Sequence, residues 1–68
     1  MPMINVTMTH EDGGATKEQK ELLAKKLTDA FAEVFNRGAN TCVVTINEVS
    51  TDNYAIGGKT VTNIRKDN

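Results

Sequence analysis

Apolar and polar residues alternate over positions 3–9, with Ile4, Val6 and Met8 on one side and Met3, Asn5 and Thr7 on the other. A period of two carried by β-branched residues predicts a strand. The run His10, Glu11, Asp12, Gly13, Gly14 breaks it with turn formers. Thr16 followed three residues later by Gln19 predicts a capping box, in which each side chain satisfies the other's orphan backbone donor. Beyond it Leu23, Leu27, Ala30, Phe31, Val34 and Phe35 recur at steps of three and four. They mark one apolar face of a helix running to about Asn36, about 30 Å long. Gly38 is the expected stop, with Arg37 in the last turn where the helix dipole favours a cation. From Thr41 to Val49 the alternation returns, with Cys42, Val44 and Ile46 on one face and Val43, Thr45, Asn47 and Val49 on the other. Apolar groups on both faces predict a strand covered on both sides. A turn over Ser50 to Asn53, the segment Tyr54 to Gly58, a short strand-like stretch Thr60 to Thr62 and a polar tail complete the chain.

The order predicts an α/β fold: a single βαβ unit, with residues 1–68 forming one domain. One helix covers one face of a two-stranded parallel sheet and leaves the other face and both edges open. A chain of 68 residues buries only about 60% of the surface its unfolded form exposes. Small folds usually add a staple, and here the staples can be counted out. Cys42 is the single cysteine and His10 the single histidine, too few for an internal disulfide or a four-ligand zinc site. Self-association is what remains, so pattern and composition both predict a homo-oligomer.

Charge excludes two partner classes. Eight Lys and Arg against nine Asp and Glu give a net charge of −1, without the basic excess that phosphate contacts require. Lysines and glutamates interleave over positions 17–26 as on an ordinary solvated helix face. No apolar run approaches the roughly 20 residues that span a bilayer, and no basic-then-apolar leader opens the chain. The expectation is a cytoplasmic protein with neither nucleic acid nor membrane as partner. Of the candidate motifs, Gly58-Lys59-Thr60 resembles the end of a phosphate-binding loop but has Asn53 at the first glycine position. His10, Glu11 and Asp12 are adjacent turn residues, read as solvated, and Cys42 is read as a packing residue within a strand.

The remaining chemistry lies at the N-terminus. Met1 precedes Pro2, and a small second residue normally permits removal of the initiator methionine. Pro2 would then carry a free secondary amine. An α-amino group titrates near 7.7–8.0 unperturbed, and an apolar pocket lowers that value toward a neutral base at pH 7.

Four segments in order strengthen this reading: Pro2 opening a strand, Thr16-Lys17-Glu18-Gln19-Lys20 opening the helix, Val44-Thr45-Ile46-Asn47-Glu48 on the second strand, and Asn53-Tyr54-Ala55-Ile56-Gly57-Gly58 after the turn. In these the chain resembles the 4-oxalocrotonate tautomerases, over about residues 2–65, and among them the members with a longer loop after the first strand. The resemblance implies a βαβ unit with a C-terminal hairpin, assembled as a hexamer of three dimers. It implies a cofactor-free, metal-free keto–enol tautomerase of aromatic-compound breakdown, acting on a small unsaturated 2-hydroxy or 2-oxo acid. Pro2 would be the general base, carrying a proton from the 2-hydroxyl of 2-hydroxymuconate to its carbon 5. Met3 and Ile56 would wall the pocket, and Tyr54 stands where the family has an aromatic, usually Phe. The family's two carboxylate-binding arginines correspond to Ala15 and Val43 here, with Arg37, Lys59 and Arg65 as candidate replacements. Two alternatives stay open: hydratase, dehalogenase or iminium chemistry at the same proline, and a non-enzymatic oligomeric binder.

Overall fold

The computed structural model describes residues 1–67. Strand β1 (Met3–Thr9) is followed by helix α1 (Lys17–Phe35) and strand β2 (Val43–Val49). A 3-10 turn (Thr51–Asn53) leads to a hairpin of β3 (Ala55–Ile56) and β4 (Lys59–Thr60), and then to a short helix α2 (Val61–Lys66). β1 and β2 are parallel, in a register that sets Met3 beside Val43 and Thr9 beside Val49.

Thr16 caps α1 as predicted: its hydroxyl accepts from Gln19 N at 3.1 Å, and Gln19 Oε1 accepts from Thr16 N at 2.9 Å. α1 ends where expected, at Phe35 with its cap at Asn36, but the capping residue differs from expectation. Asn36 adopts the left-handed conformation at the C-cap, and its N–H donates to Ala32 O. Asn tolerates that conformation nearly as Gly does, so the cap is Asn36 rather than Gly38 and Arg37 lies beyond the last turn. β2 also begins later than predicted. The amides of Thr41 and Cys42 both donate to Gly38 O, closing a turn, and the ladder opens only where Val43 N donates to Pro2 O at 2.9 Å.

The predicted apolar helix face splits in two. Leu23, Leu27 and Phe31 are half-buried over the sheet, whereas Ala30, Val34 and Phe35 face solvent, as does Leu22. On the sheet, Ile4, Val6, Met8, Val44, Ile46 and Glu48 turn toward the helix side, and Met3, Asn5, Thr7, Val43, Thr45 and Asn47 form the open face. The C-terminal segment also departs from expectation: Thr60 is the cap of α2, accepting from Asn63 N, and the polar tail is helical. The hairpin turn is made by Gly57 (φ +61°) and Gly58 (φ +84°), two successive left-handed positions of the kind a two-residue hairpin loop needs.

A single chain encloses almost nothing. Val61 is the one buried apolar residue among those described, and no side chain among them is fully buried. The radius of gyration is 15.2 Å, against about 11 Å for a compact chain of this length.

Gly38 is the tightest joint of the βαβ unit. Its φ is +91°, and a methyl group there would sit 2.9 Å from Phe31 Cε1 and 3.2 Å from Pro2 Cγ. A left-handed φ costs a side-chain-bearing residue about 1–2 kcal/mol, and the contacts add to it. Gly38→Ala is therefore expected to lower the unfolding free energy by about 2 kcal/mol or more, read from denaturant midpoints. An unchanged midpoint would mean that this turn does not hold its conformation in solution.

Candidate active site

Pro2 lies at the N-terminal end of β1. Its carbonyl is the first acceptor of the parallel ladder, and its half-buried ring packs beside Gly38 and the edge of Phe31. With Met1 attached its nitrogen is a tertiary amide, which is neither basic nor nucleophilic. Met3, the next residue, is 66% exposed on the open sheet face beside Val43. The position held by an arginine in the resembled family is thus one ladder step from Pro2, and here it is apolar.

Tyr54 and Ile56 are elsewhere. They follow the C-terminal end of β2, and a seven-residue strand separates its two ends by about 20 Å. Tyr54 O accepts from Val61 N at 2.7 Å, tying Tyr54 to the start of α2. Arg65 of α2 reaches Glu11 just past the end of β1. Pro2 and Met3 are therefore together at one end of the sheet, with Tyr54 and the 62% exposed Ile56 at the other. One chain does not bring the four predicted site residues together.

That second end also holds an open cleft of about 440 Å³, lined by Met8, Glu11, Ala15, Gln19 and Glu48 among others. It is not the Pro2 site. Glu48 organises it: both carboxylate oxygens accept from Ala15 N, at 3.0 and 3.2 Å. Lys20 Nζ lies at 3.1 Å and His10 Nδ1 at 3.5 Å from the same carboxylate. The Ala15 amide, then Lys20, hold the Glu48 carboxyl below its ordinary range. The sequence reading missed this role, although Glu48 continues the parity of Val44 and Ile46 and so had to turn toward the helix.

The predicted solvated turn is also an ion-paired one. Arg65 donates from Nη1 to Glu11 Oε1 at 2.8 Å and from Nη2 to Glu11 Oε2 at 2.9 Å, and the Thr9 hydroxyl donates to the same carboxylate. These bonds, Arg65 first, lower the Glu11 carboxyl from an ordinary 4.5 to about 2. In the unfolded chain Glu11 takes up its proton near 4.5; in the folded chain it does so only near 2. Between those values the unfolded state binds more protons, so stability present above pH 4.5 is lost as pH falls through the window. Glu48 contributes with the same sign. The thermal midpoint is expected to fall between about pH 5 and pH 3, less steeply in Glu11→Gln. Identical slopes for the two proteins would exclude the clasp in solution.

The charge inventory narrows the candidates for carboxylate recognition. Arg65 is committed to Glu11, and Lys59 pairs with Asp67. Arg37 differs: its guanidinium carbon lies 5.7 Å from the Phe31 ring centroid and 5.9 Å from that of Phe35. The two rings are 4.6 Å apart. Among the described residues Arg37 has no carboxylate partner, and no three His, Cys, Asp or Glu side chains converge as metal ligands. No helix among them is long and apolar enough to cross a membrane.

Comparison with known proteins agrees with this architecture. The family model described as "Tautomerase enzyme" matches residues 2–64. The chain is 40% identical to a probable tautomerase of Helicobacter pylori over 68 residues, the whole of both proteins. It is 39% identical over 59 residues to the 2-hydroxymuconate tautomerase of Bacillus subtilis, covering 87% of this chain and 90% of that one. The crystal structure of DmpI from Helicobacter pylori superposes with a TM-score of 0.84 at 39% identity, over 91% of this chain and 98% of the other. A heterohexamer 4-oxalocrotonate tautomerase from Chloroflexus aurantiacus gives 0.78 at 29% identity, over 96% and 100%. The chain belongs to the tautomerase family, in its 4-oxalocrotonate tautomerase branch. It is accordingly an enzyme, an isomerase of the tautomerase type.

Proposed function

We propose that the amine of Pro2, freed by removal of Met1, is the general base of a cofactor-independent keto–enol tautomerase. Its substrate is 2-hydroxymuconate or a related 2-hydroxydienoate, as in the breakdown of aromatic compounds. The amine takes the proton of the 2-hydroxyl as the oxygen–hydrogen electrons collapse into a carbonyl. The displaced π electrons run along the diene, and carbon 5 collects the proton from the proline, leaving a conjugated 2-oxo acid. Atoms and charge balance without metal or cofactor. The half-buried seat of Pro2 against Gly38 and Phe31 carries this reading, because partial desolvation disfavours the ammonium form and keeps the base neutral near pH 7.

The separation of Pro2 and Met3 from Tyr54 and Ile56 supports completion of the pocket by a second chain. Ile56 and Tyr54 of a neighbouring protomer would close over Pro2 and exclude water. Homo-oligomerisation, in the form of a hexamer of three dimers, covers the open sheet face and the exposed Val34 and Phe35 together. The heterohexamer name of the Chloroflexus neighbour supports an assembly of that size. A cytoplasmic location suits such a substrate.

The test uses protein whose intact mass shows that Met1 is gone. Ketonisation of 2-hydroxymuconate, and of its one-carboxylate counterpart 2-hydroxy-2,4-pentadienoate, is followed by ultraviolet absorbance. Turnover of at least one acid well above the buffer rate is expected; turnover of neither overturns the proposal.

A further inference from the structure

The geometry points to Arg37 as the carboxylate-binding residue of the Pro2 site, in an enzyme selective for 2-hydroxy and 2-oxo acids bearing one carboxylate. This inference rests on the assignment of Pro2 as the base.

Three cations were open as replacements for arginines absent at Ala15 and Val43, and the structure separates them by what each already holds. Arg65 gives both terminal nitrogens to Glu11, so an incoming carboxylate would have to displace a bidentate pair. Lys59 is paired with Asp67 at the base of α2. Both belong to the C-terminal part of the chain, at the far end of the sheet from Pro2. Arg37 is at the Pro2 end, one residue before Gly38, and its guanidinium has no carboxylate partner among the described residues.

Phe31 links the two groups. Its ring edge lies against Gly38, where the Pro2 ring also packs, and Arg37 sits over the same ring. Phe35 offers Arg37 a second face. Stacking on two aromatic faces limits the orientations of a planar guanidinium while leaving its N–H edge free. A guanidinium so held binds a carboxylate through two parallel charge-assisted hydrogen bonds, and little order is lost when the acid arrives. A dicarboxylate needs a second cation for its far end. Val43, the residue beside Met3, offers none, and the Ala15 amide is engaged by Glu48. One clamp therefore matches one carboxylate.

Two alkylating agents of similar size test this: bromopyruvate, which carries a carboxylate, and bromoacetone, which does not. Each loses bromide to the Pro2 amine, and the adduct is read by mass on the N-terminal peptide, apart from any adduct on Cys42. In the protein lacking Met1, bromopyruvate is expected to label Pro2 faster than bromoacetone. Arg37→Ala is expected to slow bromopyruvate about 10- to 100-fold, the range for losing a charge-assisted bond, and to leave bromoacetone unchanged. Arg37→Lys should recover part of the difference. In kinetics, kcat/KM for 2-hydroxy-2,4-pentadienoate should exceed that for 2-hydroxymuconate and fall in Arg37→Ala by the same factor. Equal slowing of both reagents would show damage to the Pro2 seat and overturn the Arg37 assignment, as would no slowing of either. Failure of both reagents to label wild-type Pro2 would instead remove the base, and the Arg37 site with it.

Discussion

Pro2→Ala is expected to lower kcat by at least about 100-fold with little change in KM, at the lower end of the 10²–10⁴ range for a positioned general base. The loss is incomplete because alanine at position 2 also permits removal of Met1 and leaves a primary amine. What disappears is the ring that Gly38 and Phe31 hold in place. Without it the amine rotates freely and reaches carbon 5 only part of the time, which reduces the transition-state term and spares substrate binding. A companion form with an uncleaved residue before Pro2 makes the sharper comparison. There the nitrogen is a tertiary amide, its lone pair belongs to the carbonyl, and no base is left at the position of the proline nitrogen. That form should fall to the rate of the uncatalysed reaction while remaining folded, because Pro2 O still accepts from Val43 N. The pH profile adds an independent readout. The ascending limb of kcat/KM should follow the titration of the proline amine and vanish in the extended form. Equal activity of the extended and processed proteins would take Pro2 out of the chemistry.

How much of this was legible in the sequence depended on whether the determining contacts were local. The capping box at Thr16 and Gln19 and the alternation of β1 are written within a few residues, and the structure has them where they were read. The C-terminal hairpin, in contrast, came only from the family resemblance, and the strand-like stretch Thr60 to Thr62 turns into α2 after Thr60. The end of α1 near Asn36 was legible, but its cap was assigned to Gly38 because the glycine rule overlooks that Asn36 tolerates the left-handed conformation. The start of β2 was misplaced because the amides of Thr41 and Cys42 turn back to Gly38, a choice that the alternation pattern cannot express. The tail was read as polar coil because a six-residue helix has too few turns to show a period. At the site the limit was distance along the chain. Nothing local announces that Glu11 meets Arg65, that Glu48 holds the Ala15 amide, or that Arg37 rather than Arg65 is unpaired. The exposure of Val34 and Phe35 was hidden for a related reason: periodicity marks an apolar face without saying which molecule covers it.

Covering that face is expected to be a condition of folding. One chain has Val61 as its single buried apolar residue among those described, with Val34 at 74% exposure and Ile56 at 62%. A monomer with so little enclosed surface cannot offset its conformational entropy, which runs to about 1–2 kcal/mol per residue for the backbone alone. Folding and association should then be one transition. Light scattering should give a mass several times 7.4 kDa, and the thermal midpoint should fall on dilution. A tenfold dilution weakens a two-chain equilibrium by about 1.4 kcal/mol, and a larger assembly by more. Ile56→Asp carries the same argument to a single side chain. In an isolated chain a charge at this exposed position is nearly harmless, because it stays in water. In an assembly it would be driven into an apolar contact, where an unpaired carboxylate costs several kcal/mol. Ile56→Asp should therefore dissociate the protein, lower its thermal midpoint and abolish turnover, even though Ile56 and Pro2 lie at opposite ends of their own chain. The joint loss is the informative result. Dissociation with full activity would place the whole site within one protomer, and a folded, active 7.4 kDa species in the wild type would overturn the shared pocket.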